Sequence, residues 1–227
     1  MKILKEYVKK FALRYLKVGA PKYDFNVEPI QMALLVNEIE RMKNIDGCIC
    51  EIGVARGMTT RFLAEHIKSQ NIEEKNKYFA IDTFNSFVKD DLTFEVEQRD
   101  KKIIDLRGFE YNSYNVWKSN FSEFNFINAI QADCALFDFN TIDPIKLTFL
   151  DVDLYLPTKK TLQKVFDATV KGGVIFVDDV LDNTAYDGSY QAYMEFCNEN
   201  KIQPKIIGNK CGVIYKDTVM PEIWWKS

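Results

Sequence analysis

The sequence predicts an α/β fold: a mostly parallel sheet of seven strands, helices on both faces, and an antiparallel strand at the C-terminal end. Three observations carry this expectation. Five short runs rich in β-branched and aromatic residues stop at polar or acidic residues, as buried strands do. Helical patterns separate most of these runs, which favours parallel pairing through βαβ units. The tail then holds two short apolar runs separated by Gly208-Asn-Lys-Cys, a spacing that suits a hairpin. With 227 residues, 47% of them apolar, and no internal repeat or linker, the chain suits one domain over 1–227.

The stretch Met1–Val18 places Ile3, Leu4, Tyr7, Val8, Phe11 and Tyr15 on one side of a helix, among Lys2, Lys5, Lys9, Lys10 and Arg14. It lacks the continuous apolar core and small-residue cleavage site of a signal peptide. Residues 1–28 therefore read as a helical extension. Its stripe needs cover, from its own domain or across a homodimer, and a basic amphipathic helix of this kind could also lie on an anionic membrane. A turn-rich joint, Gly19-Ala-Pro21, leads to a helix over Pro29–Met42.

Gly47–Cys50 is the first strand, Glu51-Ile-Gly53-Val-Ala-Arg-Gly57 a glycine-punctuated turn, and Thr59–Lys68 the next helix. Lys77–Ile81 forms a second strand that ends at Asp82. Residues 88–124 mix charge with aromatics and read as one or two helices outside the sheet; an insertion of that length beside a site usually serves as a lid. Ile127–Gln131, Lys146–Leu150 and Gly173–Val177 are the third to fifth strands. Helices over Pro157–Thr169 and Tyr190–Asn200 cover them, and Pro204–Ile207 with Gly212–Tyr215 completes the sheet.

Composition removes several classes of function. A net charge of −3 with interspersed signs gives no footprint for nucleic acid. No run of about 18 apolar residues exists to span a membrane. Five cysteines without zinc-site spacing read as reduced thiols of a cytoplasmic protein. His66 is the only histidine and lies in a helical run with no partner in view, so Ser-His-Asp and Cys-His nucleophiles drop out.

Two acidic clusters point to chemistry. Asp151-Val-Asp153 follows one strand and Asp178-Asp179 the next. Ligands bind where such strands end, so four carboxylates would crowd one edge. Like charges that close repel and raise their own pKa values unless a cation offsets them. An all-oxygen set suits Mg2+, Mn2+ or Ca2+ rather than zinc. The plainer alternative is that these aspartates cap the helices that follow.

The turn Gly53-x-x-x-Gly57 departs from the dinucleotide spacing G-x-G-x-x-G, and Asp82 comes later than that motif's acid would. With Glu51 before it and Asp82 closing the next strand, it resembles the S-adenosylmethionine site of the Rossmann-like methyltransferases. Adding Asp82-Thr83-Phe84-Asn-Ser-Phe87, Asp151-Val-Asp153-Leu-Tyr155-Leu-Pro-Thr158 and Gly172-Gly-Val-Ile-Phe-Val-Asp178-Asp179, the order is similar to the macrocin and mycinamicin (TylF/MycF) O-methyltransferases, over about Glu28–Tyr215. That family methylates a sugar hydroxyl and requires Mg2+; it usually has glycine where this chain has Ser86. The resemblance implies a Rossmann-like methyltransferase fold. It gives Glu51, Gly53, Gly57, Asp82, Thr83, Phe84 and Asp133 to the cofactor, Asp151, Asp178 and Asp179 to the metal, and Asp153, beside Asp151, to proton removal. Asp82 would take the ribose hydroxyls and Asp133 the adenine amine.

Methyl transfer from a sulfonium is an in-line displacement, so alignment of the hydroxyl and removal of its proton are what the protein must supply. The leading expectation is a metal-dependent O-methyltransferase acting on a sugar or sugar-containing small molecule. Alternatives are a catechol or vicinal-diol O-methyltransferase, a nicotinamide-dependent oxidoreductase, and a cofactor-binding protein without catalysis. Acceptor screening separates the first, NAD binding the second. The retained, mutually repelling carboxylates argue against the third.

Overall fold

A computed structural model describes residues 2–16, 18, 22–23 and 25–217. The joint expected at Gly19-Ala-Pro21 lies outside them. The first helix, α1 (Lys2–Tyr15), leaves its apolar residues open: Ile3, Leu4, Tyr7 and Tyr15 keep 66–74% of their surface exposed. Among the described residues it finds no cover on its own domain.

The rest is built on one sheet. Its strands are β1 (Cys48–Ile52), β2 (Tyr78–Asp82), β3 (Ile127–Gln131), β4 (Ile145–Leu150), β5 (Thr169–Val177), β6 (Ile206–Ile207) and β7 (Cys211–Tyr215), in the order β3-β2-β1-β4-β5-β7-β6. The first five pair in parallel, and β7 runs antiparallel to both β5 and β6. This is the expected seven-stranded sheet. The register of β4 on β5 shifts between Ile145 and Leu147, which lets β5 begin earlier than the sequence pattern implies.

Alternation along the strands feeds two cores. Ile49, Leu147, Phe149, Val174 and Phe176 face one side, where α2 (Pro29–Arg41), α3 (Met58–Ser69) and α5 (Tyr114–Asn120) bring Leu34, Leu35, Leu63, Ile67 and Trp117. Cys48, Cys50, Ile52, Ile175 and Val177 face the other, where α6 (Tyr155–Ala168) and α7 (Gly188–Glu199) bring Leu162, Val165, Tyr193 and Phe196. Helices on both faces bury the central strands throughout, as in β1 and β4. The insertion over 88–124 holds α4 (Lys89–Gln98), a 3₁₀ turn at Ile103–Leu106, and α5. Among the described residues no helix is long and apolar enough to cross a membrane, and all five cysteines are free and buried. His66 bonds Glu40 at 2.9 Å, tying α3 to α2 as a packing residue.

Candidate active site

Strand order reverses between β1 and β4, and in an open parallel sheet the crevice forms at that reversal, beyond the strands' C-terminal ends. A cavity of about 450 Å3 opens there. The turns after β1 and β2 line it, as do those after β3, β4 and β5.

The turn after β1 lies against the end of β4. Gly53 has φ +82°, and a Cβ there would lie 1.8 Å from the Asp151 carbonyl oxygen, so only glycine lets the two turns approach. Gly57 (φ +83°) precedes α3 and backs onto Phe121 and Trp117; it shapes the turn and does not line the cavity. β1 extends to Ile52, so Glu51 belongs to the strand and not to the turn. Its Oε2 accepts from Thr60 Oγ1 at 2.6 Å and Tyr78 OH at 2.5 Å. Burial pushes its carboxyl up to about 7 despite those two donors.

Asp82 holds two turns together. Oδ2 accepts Val54 N at 2.8 Å and Ala55 N at 3.2 Å, while Oδ1 accepts Phe84 N at 2.6 Å and Thr83 Oγ1 at 3.5 Å. Its capacity is largely taken by these donors. Thr83 lines the cavity and also donates to Ser86 O at 2.7 Å. Ser86 has φ +61°, the left-handed backbone that glycine adopts freely, and its hydroxyl bonds Gly108 O at 2.6 Å.

Phe84 departs from the sequence expectation of a cofactor contact. Its ring is 2% exposed, packs edge-on against Tyr114 and Trp117, and faces the core. The backbone reverses at Phe84 (φ +52°) to meet Asp82, and that reversal turns the ring inward. Phe87, three residues on, lines the cavity instead.

Three of the four carboxylates meet directly, and Asp178 is joined to Asp179 through Lys210. One oxygen each of Asp151, Asp153 and Asp179 lies within 4.8 Å of the others. Asp153 (φ +63°) and Asp179 (φ +54°) both adopt left-handed backbone, a strain that a fold tolerates where function requires it. Asp178, 2% exposed, accepts Gln31 Nε2 at 2.7 Å on Oδ1 and Lys210 Nζ at 2.9 Å on Oδ2. Lys210 also donates to Asp179 at 2.7 Å. Burial, then the neighbouring carboxylates, raises Asp151 and Asp153 well above the usual carboxylate range and raises Asp178 as well. Lys210 is itself buried against its charge, but Asp178 and Asp179 outweigh this and push it upward. One cation thus faces four carboxylates. Oxygens that share one ion at about 2.0–2.6 Å lie at most about 5 Å apart, so this donor set fits a hard divalent cation.

The insertion closes one side of the cavity. Glu95 of α4 accepts the backbone N–H of Tyr155 at 2.6 Å, and Arg99 bonds Glu95 at 2.7 Å and Asp187 at 2.5 Å. Lys101 joins Asp187 at 2.7 Å. Asp187 precedes α7, and Tyr186 beside it lines the cavity near the aspartates. Asp133, after β3, lines the opposite end and accepts Ala135 N at 2.8 Å. Asp91 of α4 lines the cavity too.

Sequence reasoning missed Gln31, Lys210 and Asp91. Gln31 stands 147 positions before Asp178 and Lys210 lies in a hairpin, so no local spacing ties either to the aspartates. In the sequence Asp91 is one charge among many on a solvated helix.

The sequence pattern of the macrocin O-methyltransferase (TylF) family matches residues 30–216. The chain belongs to the TylF family. It is therefore an O-methyltransferase, and the family's methyl donor is S-adenosylmethionine. No curated protein matches this TylF-family chain in sequence. Solved structures share its fold. The calicheamicin methyltransferase CalS11 superposes with a TM-score of 0.66 at 15% identity, over 93% of this chain and 85% of that one. The O-methyltransferase NovP gives 0.65 at 15% identity, over 83% and 79%. An apo structure of CalS11, described as a TDP-rhamnose 3'-O-methyltransferase, gives 0.57 at 16% identity, over 92% of each chain.

Proposed function

We propose that this TylF-family chain is a divalent-metal-dependent O-methyltransferase that takes its methyl group from S-adenosylmethionine and acts on a hydroxyl of a sugar or sugar-containing small molecule. One observation carries the reading: carboxylates from the ends of β4 and β5 converge on the cavity that the β1 glycine turn also lines. The family match and the likeness to CalS11, a TDP-rhamnose 3'-O-methyltransferase, support the sugar class.

The donor side runs from the β1 turn toward β3. Glu51 faces the cavity from β1 and is matched to an ammonium group, whose charge would hold its carboxyl ionised. Gly53 keeps the turn's backbone close to the donor. Asp82 acts mainly by fixing that turn, with the ribose as a further partner, and Asp133 is matched to the adenine amine. The acceptor side holds the aspartates. Asp151 and Asp179, with Asp178 once Lys210 withdraws, would hold the metal, and Asp153, whose oxygen clusters with those of Asp151 and Asp179, would take the hydroxyl proton. A divalent cation supplies acidification of the hydroxyl that a carboxylate alone cannot deprotonate at neutral pH. Tyr186 and Phe87 border this end, and the 88–124 insertion acts as its lid, excluding water.

The same reading makes this one catalytic domain of the cytoplasm, whose buried free thiols suit a reducing compartment. A second copy would cover the exposed stripe of α1. Deleting residues 1–18 should then lower the mass in light scattering.

The functional test incubates the protein with labelled S-adenosylmethionine and a panel of nucleotide sugars, glycosides and catechols, with and without a chelator. Methylation of a sugar that stops with chelation and with Asp151→Ala supports the proposal. Turnover of catechols alone, or full turnover without metal, refutes it.

A further inference from the structure

The mechanism above leaves one buried acid of the cavity unused. Asp91, on the first helix of the insertion, is only 6% exposed and lines the cavity. Among the described residues its side chain receives no hydrogen bond and forms no ion pair, although Lys160 is near enough to influence it. Burial without a partner on a residue that borders the cavity leaves that carboxylate to be met from the cavity side. The acid acting on it most strongly is Asp133. Asp133 gives one oxygen to Ala135 N, which leaves its other oxygen for a ligand. Two carboxylates from different elements therefore line one cavity within reach of each other's charge, and no hydrogen bond from the protein joins them.

Such an arrangement is unfavourable when empty and suits a neutral group that donates two hydrogen bonds in different directions. An exocyclic aromatic amine has that geometry. We propose that Asp91 and Asp133 together receive the two N–H bonds of the adenine amino group, so that Asp91 is a specificity-determining residue brought to the donor site by the insertion. This rests on the S-adenosylmethionine reading given above. The helix α4 then covers the acceptor and also completes the nucleoside site, so donor binding and lid position are linked. A 6-oxo purine offers a carbonyl oxygen in the same place, and two carboxylates repel it.

The test is calorimetric titration of the full-length protein with S-adenosylhomocysteine and with S-inosylhomocysteine, for wild type, Asp91→Ala and Asp91→Asn. Wild type should favour the adenosyl ligand by tenfold or more. Asp91→Ala should weaken that ligand about 10- to 100-fold and leave the inosyl ligand as it was or bound more tightly, which collapses the preference. Asp91→Asn keeps an acceptor oxygen and should recover part of the loss. Unliganded Asp91→Ala should melt no lower than wild type, because an unpaired buried acid has gone. Equal weakening of both ligands would assign Asp91 a merely structural role, and no weakening would assign it none; either overturns the inference. Wild type that binds S-adenosylhomocysteine, combined with an unaffected Asp91→Ala, overturns this inference alone. Wild type that binds neither ligand overturns the donor reading as well.

Discussion

Gly53→Ala tests how the two halves of the site are held together. The new methyl carbon would start 1.8 Å from the Asp151 carbonyl oxygen, where ordinary contact begins at 3.4 Å. Neither atom can rotate away, since one is on the turn and the other is backbone. The β1 turn and the β4 end must part by about 1.5 Å, straining the bonds from Asp151 N to Ile52 O (2.8 Å) and from Gly53 N to Ile81 O (2.9 Å). Alanine at a left-handed backbone position costs about 1–2 kcal/mol, and each weakened bond about 1 kcal/mol more. Stability should fall by about 3–4 kcal/mol, a drop of roughly 6–16 °C in Tm for a chain of this size. The larger effect is on catalysis. Asp151 moves relative to the donor turn, and a misplacement of about 1 Å can cost roughly 100-fold. Initial rates with saturating donor, read beside a thermal melt, measure both. Unchanged turnover in Gly53→Ala would refute the claim that this close approach positions the reaction.

Two further predictions use charge. Glu51 holds its proton to about pH 7 in the folded chain but only to about 4.5 when unfolded, so stability should decline as pH rises through that window, by about 3 kcal/mol in all. Glu51→Gln should remove that part of the decline in urea titrations at pH 5 and pH 8; parallel curves for both proteins would count against it. Lys210→Met should leave Asp178 and Asp179 without their cation, so the metal-free protein melts lower, Mg2+ binds more tightly, and added Mg2+ raises Tm further than in wild type. Weaker Mg2+ binding in that variant would show that Lys210 does not stand in the cation's place.

Strand runs, the glycine turn and the acidic pairs were legible because each is local: short apolar runs buried on both faces, a backbone that needs glycine, and carboxylates at strand ends. What escaped was set by distance in the chain or by direction of a side chain. Lys146 reads as the polar start of a strand, yet it is fully buried and donates to the carbonyls of Ile45 and Lys75 at 3.1 and 2.9 Å. Asp82 reads as a ligand-facing acid, but most of its bonds go to backbone amides. Phe84 and Phe87 are alike in sequence, and only the left-handed turn at Phe84 decides which ring meets the cavity. Gln31 and Lys210 reach Asp178 from opposite ends of the chain, a convergence that only tertiary structure reveals.

The proposed chemistry turns on one cation held by aspartates from two strand ends beside the methyl donor. A crystal grown with S-adenosylhomocysteine and Mn2+, measured at a wavelength where manganese scatters anomalously, tests this most directly. The expected result is a single strong anomalous peak in contact with Asp151 and Asp179, with Lys210 drawn off the cluster. Lys210 still paired with Asp178 and Asp179, and no peak between the aspartates, would contradict it.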